Sequence, residues 1–595
     1  MRYVVFAFCL LFSFGVSASD LSSSAEWLAL GHYQNQKSSI DSPNFFLNVD
    51  GKTNPKAELE ASVKLFSSDD NQLKCQFPAR YLFLKKHKLI ESEFPRCEEF
   101  EEFKNDLQPA GVTLLFTDAY MNNPSSLFGH TLLRIDTKHK GTQMLAHGAN
   151  YGAFTGENPG PLYALFGLTG RYFGGFTVKP YFNIINTYNN IENRDIWELN
   201  LDFNQEELNF FVAHLWEIGQ TQSRYYFFSK NCSYMLMEML DAVRPSLKLA
   251  EKFPVHAIPL DTFKAVFKSD DLVKQINYRP SRQKQIIFAV DDMNEKQRKA
   301  YFNLIENEKY KLPEDLSQDE KSDILGTVYQ FIQYQYVAKK IELEDYRKKS
   351  FGILRRRSQL KTAKKERKIT APSPLNSHEA MRLTIGVGVK NGNVFEEITY
   401  RPAYHSLTDN DIGLLKGAEI NFLETKLRNY SQDNKTVLQN LDLLTIRSIS
   451  PVDKMFNPIS FQINANVERM TNPVSKEEGY VGNLNVGVGK TCAFSKNVWG
   501  FALFNNKVST GGFLPHNSML SFGVNGGILL DFDKWKGLLE ITPWWASQKF
   551  GKKTAYKAEI NYVIDTNVSV STEVLFEDRY GKDENEFLLK MRYFF

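Results

Sequence analysis

Little in this sequence points to a metal, a cofactor or a polyanion. Cysteine is scarce, with 5 in 595 residues. No Cys and His spacing fits zinc, and no phosphate-binding loop or dinucleotide fingerprint is present, so no metal and no cofactor is implied. Charge of one sign is missing in bulk. The 72 Lys and Arg stand against 69 Asp and Glu, a net of +3, which argues against nucleic acid as a partner. The one long apolar run is at the N-terminus, where Tyr3–Phe14 follows Arg2 and precedes Val16-Ser17-Ala18. That run is too short for a spanning helix and has the layout of a secretory signal, so residues 1–18 are expected to be cleaved after Ala18.

What the chain does have is aromatics. They make up 13% of residues, with 46 Phe and 27 Tyr, which suits a protein that meets lipid. Export places the four remaining cysteines in an oxidising compartment. Cys75 and Cys97 lie in one small segment and are expected to pair. Cys232 and Cys492 then stay free. Burial as a small apolar residue suits Cys492 in its strand. It suits Cys232 less well, because Asn231 and Ser233 flank it at the start of a helix-like run.

The texture changes three times along the chain. Residues 19–110 read as a helical lead-in and 111–280 as an α+β domain. Residues 281–379 read as a charged helical linker, with Glu295 to Asn307 and Glu314 to Arg356 as helices. The basic run from Arg355 to Lys368 is either a solvated linker or a contact for anionic headgroups. From residue 380 to 595 the period is two. About a dozen segments of roughly ten alternating residues, separated by turns, predict an antiparallel outer-membrane β-barrel. The last segment is the sharpest: Phe587, Leu589, Met591, Tyr593 and Phe595 share one face, with Lys590 and Arg592 on the other. Within 111–280, Val112 to Phe116 and His130 to Asp136 read as strands, and Thr142 to Gly148 as a return strand carrying His147. Gly152 to Gly175 reads as a long loop beside the site, and Asn204 caps a helix that runs to Ile218.

The chemistry centres on Cys232. On the first turn of a helix it sits at the positive end of the dipole, which favours thiolate. His130, opening a strand after Gly129, is the preferred base, and His147 on the expected partner strand is placed to orient it. Tyr226, Asn231 and Ser126, close in sequence to these two, are the candidate substrate contacts.

Four stretches carry a resemblance: Phe128-Gly129-His130, Arg194-Asp195-Ile196-Trp197-Glu198, His214-Leu215-Trp216-Glu217 and Tyr225-Tyr226-Phe227-Phe228 with Asn231-Cys232-Ser233. Together they resemble the Lnb-type periplasmic domain, a family linked to bacterial lipoprotein N-acylation. The order of histidine strand before cysteine helix is similar to the permuted papain-like group that includes lecithin:retinol acyltransferases. The resemblance implies a Cys232–His130 thiol acyltransferase. It would take an acyl chain from a phospholipid, hold it as a thioester and pass it to the N-terminal amine of a diacylglyceryl-cysteine lipoprotein. Two other readings stand beside it: a papain-like cell-wall amidase or endopeptidase, and a non-enzymatic outer-membrane channel with a periplasmic binding domain.

Overall fold

The computed structural model describes residues 21–121, 127–138, 143–156, 160–360, 362, 368–432, 434–472, 477–512, 514, 517–547, 551–579 and 583–595. The expected signal segment and Ser126 lie outside the described residues. The chain divides into two compact units. One comprises residues 1–117 and 130–367, the other 118–129 and 368–595.

The first unit is built on a seven-stranded antiparallel sheet. Its strands are β1 (Pro109–Thr117), β2 (His130–Thr137), β3 (His147–Ala153), β4 (Tyr172–Pro180), β5 (Ile196–Leu201), β6 (Ser223–Tyr225) and β7 (Val273–Arg279). They lie in the order β6-β4-β3-β2-β1-β5-β7. β1 and β2 are central and buried on both faces, which is why Val112–Phe116 is apolar but for Thr113, whose hydroxyl donates to Asp136 at 2.6 Å.

Two helices pack against this sheet, and the second carries Cys232. Helix α1 (Gln205–Gly219) starts at the expected Asn204, which forms a capping box with Glu207. Helix α2 (Cys232–Val243) is buried along its whole length and packs on β2 and β3.

Two expectations for the region around this sheet need correcting. The return strand is β3, starting at His147; Gln143–Leu145, placed in the strand by sequence, is a 3-10 turn. The stretch Gly152 to Gly175 is not one long loop. It holds the end of β3, a helix at Gly160–Leu168 and the start of β4. That helix has no polar face and so shows no helical period in sequence. In β4, glycine lets aromatic rings approach: a Cβ on Gly174 would stand 2.8 Å from the Tyr225 ring and 3.0 Å from Tyr151.

The lead-in adds short helices, among them Pro55–Phe66, Pro78–Lys86 and Glu98–Leu107. The Cys75–Cys97 disulfide is formed, with Cα atoms 5.5 Å apart. Trp216 of α1 donates to the Cys75 carbonyl at 2.9 Å, tying the disulfide loop to the sheet domain. Among its described residues the linker holds four α-helices: Arg282–Asp291, Glu295–Glu306, Gln318–Val337 and Leu343–Ser358. The expected single helix from Glu314 to Arg356 is broken after Val337, where Lys339 takes a left-handed conformation (φ 54°).

The second unit is a closed barrel of twelve antiparallel strands: β8 (Arg382–Lys390), β9 (Asn393–Arg401), β10 (Ala418–Tyr430), β11 (Lys435–Ser448), β12 (Ser460–Thr471), β13 (Glu478–Ala493), β14 (Val498–Thr510), β15 (Ser518–Phe532), β16 (Trp535–Ala546), β17 (Lys552–Asp565), β18 (Val568–Arg579) and β19 (Asp583–Phe594). Closure comes from β8 pairing with β19 and β9 pairing with β10. Outward residues are apolar: Phe587, Leu589, Met591 and Tyr593 on β19 are each about half exposed, while Lys590 and Arg592 between them point inward. That inside-out pattern makes the exterior a lipid-facing band, and places this unit in the outer membrane. Cys492, for which sequence favoured burial, instead sits exposed on β13, because its place in the alternation puts it with outward Val486 and Val488.

The lumen is crossed by ion pairs. Arg447 of β11 meets Glu540 of β16 at 2.7 Å, although β12–β15 separate those strands around the ring. Arg428 holds Glu397 at 2.8 Å and Glu586 at 2.6 Å. At another level Asp409 accepts from Arg382, Arg401 and Arg592 at 3.0, 2.7 and 3.1 Å.

Candidate active site

Asn231 explains why a helix begins at Cys232. Its Oδ1 accepts from the N–H groups of Ser233 and Tyr234, both at 3.1 Å, capping the first turn. Its Nδ2 donates to the carbonyls of Phe227 at 3.0 Å and Ala257 at 2.6 Å. Both ends of the amide are thus used inside the protein. Asn231, expected as a substrate contact, holds the helix start in place instead.

The structure brings Cys232 and His130 together. Both are buried, at 3% and 9% exposure, and the thiol and imidazole are hydrogen-bonded. His130 Nε2 donates to Asn150 Oδ1 at 2.6 Å, leaving Nδ1 for the sulfur. Burial opposes ionisation of the thiol, but the His130 charge, its hydrogen bond, the Thr131 N–H and the Tyr225 hydroxyl overcome it and hold the Cys232 pKa down to about 7. Burial likewise opposes the imidazolium. The neighbouring sulfur, by charge and by hydrogen bond, outweighs it, and Asn150 adds to the rise, so the His130 pKa lies above its ordinary value. The pair is therefore poised as thiolate and imidazolium.

Three residues of this arrangement had no role in the sequence reading. Asn150 fixes the tautomer of His130. Tyr225 accepts from the Cys232 N–H at 3.3 Å and donates to its sulfur. Thr131 supplies a backbone N–H to that sulfur. The strand start after Gly129 and the aromatic run before Asn231 mark where two of these residues sit, but neither marks their contacts.

His147 is not brought to His130. It lies opposite Ile135, at the far end of β2 from His130. β3 begins at His147 rather than ending near it, so Asn150, three residues on, reaches the imidazole. Tyr226 is half-buried in the turn that Tyr226 N and Lys230 O close at 3.2 Å, two residues before Cys232.

The remaining motif residues are anchors. Glu198 pairs with buried Arg134 at 2.8 Å, and Asp195 accepts from the Ser281 N–H at 2.9 Å. Glu217 accepts from the Arg80 N–H at 2.8 Å, and His214 meets His32 at 2.9 Å. Among the described residues, His378, His405 and Asp409 in the barrel unit have donor atoms close enough to share a metal ion. The carboxylate there already serves three guanidiniums, whose charge opposes another cation.

Four stretches of the chain match known families. Residues 19–87, 276–369 and 371–594 match three families described only as domains of unknown function. The comparison with curated proteins found no match. Solved structures similar to the chain include the NanC porin, at 8% identity and a TM-score of 0.24, covering 36% of this chain and 99% of that one. An outer-membrane protein of Vibrio cholerae, OmpT in its trimer form, is 10% identical with a TM-score of 0.20, covering 36% of this chain and 98% of its own. Residues 99–269, which hold Cys232, His130 and Asn150, match the family described as the Lnb N-terminal periplasmic domain, so the chain joins a periplasmic domain of that type to an outer-membrane barrel in the cell envelope.

Proposed function

We propose that this protein is a thiol-dependent lipoprotein N-acyltransferase. The single observation that carries the reading is the Cys232–His130–Asn150 arrangement in a chain anchored by a lipid-facing barrel. The Cys232 thiolate attacks an ester carbonyl of a phospholipid. A C–S bond forms, the ester C–O bond breaks, and the His130 imidazolium gives its proton to the departing lysophospholipid alkoxide. The α-amine of a lipoprotein's diacylglyceryl-cysteine then attacks the thioester. A C–N bond forms, the C–S bond breaks, His130 takes the amine proton and Cys232 leaves as thiolate. The first N–H groups of α2 are taken by Asn231 and Tyr225, so the donors beside the oxyanion are the Thr131 N–H and the Tyr225 hydroxyl, which both reach the Cys232 sulfur. Asn150 holds the base in the tautomer that both steps need.

The surroundings favour an acyl chain over a cell-wall peptide. Tyr163, Tyr172, Tyr225 and Phe227 pack ring against ring beside the turn into α2. The channel reading is disfavoured by the Arg447–Glu540 pair across the lumen. The test is incubation with a phospholipid whose acyl chain is labelled, followed by hydroxylamine, which cleaves thioesters. Hydroxylamine-sensitive label on the protein, missing in Cys232→Ser, is the expected result. Equal label on the Cys232→Ser protein would refute the assignment.

A further inference from the structure

Residues Tyr33 to Asp41 of the lead-in run alongside the first turns of α2. Buried hydrogen bonds fasten them there. His32 Nδ1 meets Glu238 of α2 at 3.0 Å, Ser39 donates to the same carboxylate at 2.5 Å, and Gln34 donates to the Tyr234 hydroxyl. Between this segment and the turn before Cys232 lies a cavity of about 410 Å³, lined by Lys37, Lys52, Arg224, Lys230, Tyr226 and Tyr234 among others. That is within the range of small-ligand sites, about 300–1,000 Å³.

Four cations thus line one cavity, with Asp41 the one carboxylate among its lining residues. Asp41 is already engaged by Lys52 and by the Arg224 N–H at 2.7 Å. The chain as a whole is nearly balanced, 72 positive against 69 negative, so an excess of four to one is a local feature and not a reflection of composition.

We infer that this cavity is the subsite for the phosphate of the phospholipid acyl donor. The inference rests on the acyl-transfer reading above. Lys230 is two residues from Cys232, which puts their Cα atoms within about 7 Å. In a glycerophospholipid the ester carbonyls and the phosphate hang from one three-carbon glycerol. An enzyme that attacks the ester must therefore meet the phosphate a few bonds away. Lys and Arg recognise it by charge-assisted hydrogen bonds.

The test uses the full-length protein in uncharged detergent. Phosphatidylglycerol and diacylglycerol with identical labelled chains are compared as donors, reading hydroxylamine-sensitive label on Cys232. Wild type should favour phosphatidylglycerol by about tenfold or more, the scale of one charge-assisted bond. The Lys37→Ala, Lys230→Ala double variant should bring that ratio close to one, and Lys37→Arg, Lys230→Arg should restore it. A wild-type ratio near one, or an unchanged ratio in the alanine variant, would overturn the inference while leaving Cys232 acylation standing. If neither donor labels wild type, the acyl-transfer reading fails. Equilibrium dialysis with glycerol 3-phosphate and with inorganic phosphate then decides the cavity itself. Glycerol 3-phosphate bound by wild type and lost in the alanine variant supports a lipid-derived phosphate. Tighter binding of inorganic phosphate, or equal binding by both proteins, overturns it.

Discussion

Asn150 accepts the Nε2 proton of His130 at 2.6 Å, and this bond decides which ring nitrogen is free to take the thiol proton. Replacing Asn150 by Ala should lower the rate of thioester formation by about tenfold or more, by releasing the tautomer and the ring orientation. His147→Ala should change it by less than about twofold, since His147 lies opposite Ile135 at the other end of the strand. Single-turnover acylation of the two variants checks the order. A larger loss in His147→Ala would contradict this placement.

The ionic state of Cys232 can be read without any substrate. Its pKa is held down to about 7 because His130 and its hydrogen bonds outweigh burial. Iodoacetamide alkylation of Cys232 should therefore rise through a midpoint near pH 7, against about 8.5 for an ordinary thiol. In His130→Ala, burial acts with less opposition, so the midpoint should move above the ordinary value. A wild-type midpoint at or above 8.5 would remove the thiolate–imidazolium pair.

The barrel should not conduct. Arg447 and Glu540 join at 2.7 Å across the lumen, and Arg428 bridges Glu397 and Glu586. Planar-bilayer recordings of the purified protein should show no steady open-pore current. The Arg447→Ala, Glu540→Ala, Arg428→Ala variant should admit more ion flow, because it removes three side chains from the cross-section. A steady wild-type conductance would revive the channel reading.

The Cys75–Cys97 bond closes a loop with a sequence separation of 22. Replacing both cysteines by Ser should cost the first unit about 3 kcal/mol by the chain-entropy estimate. Denaturant unfolding followed by a probe in that unit measures it. A loss under about 1 kcal/mol would mean that the packing of Trp216 on this loop carries the connection instead.

The barrel was legible in sequence because lipid and lumen impose opposite chemistry on alternate residues, as Leu589 and Lys590 illustrate. The ion pairs inside it were not. Arg447 and Glu540 stand 93 residues apart, and only ring closure sets them face to face. Cys232 and His130 were legible because a helix start and a strand start each leave a local mark. Asn150 was not, since it reaches His130 only through the register of β2 on β3, and that strand begins at His147, where the sequence reading had it nearly finished. Tyr225 lay in plain view in the aromatic run, but its hydroxyl meets the Cys232 amide only once the intervening turn closes.

The most direct measurement is the intact mass of lipoproteins from cells that make this protein and no other N-acylating enzyme. With the wild-type chain, the lipoprotein N-terminus should carry one further acyl chain in amide linkage. With Cys232→Ala, at the same level in the membrane, that chain should be missing. Full N-acylation by the Cys232→Ala protein would contradict the account.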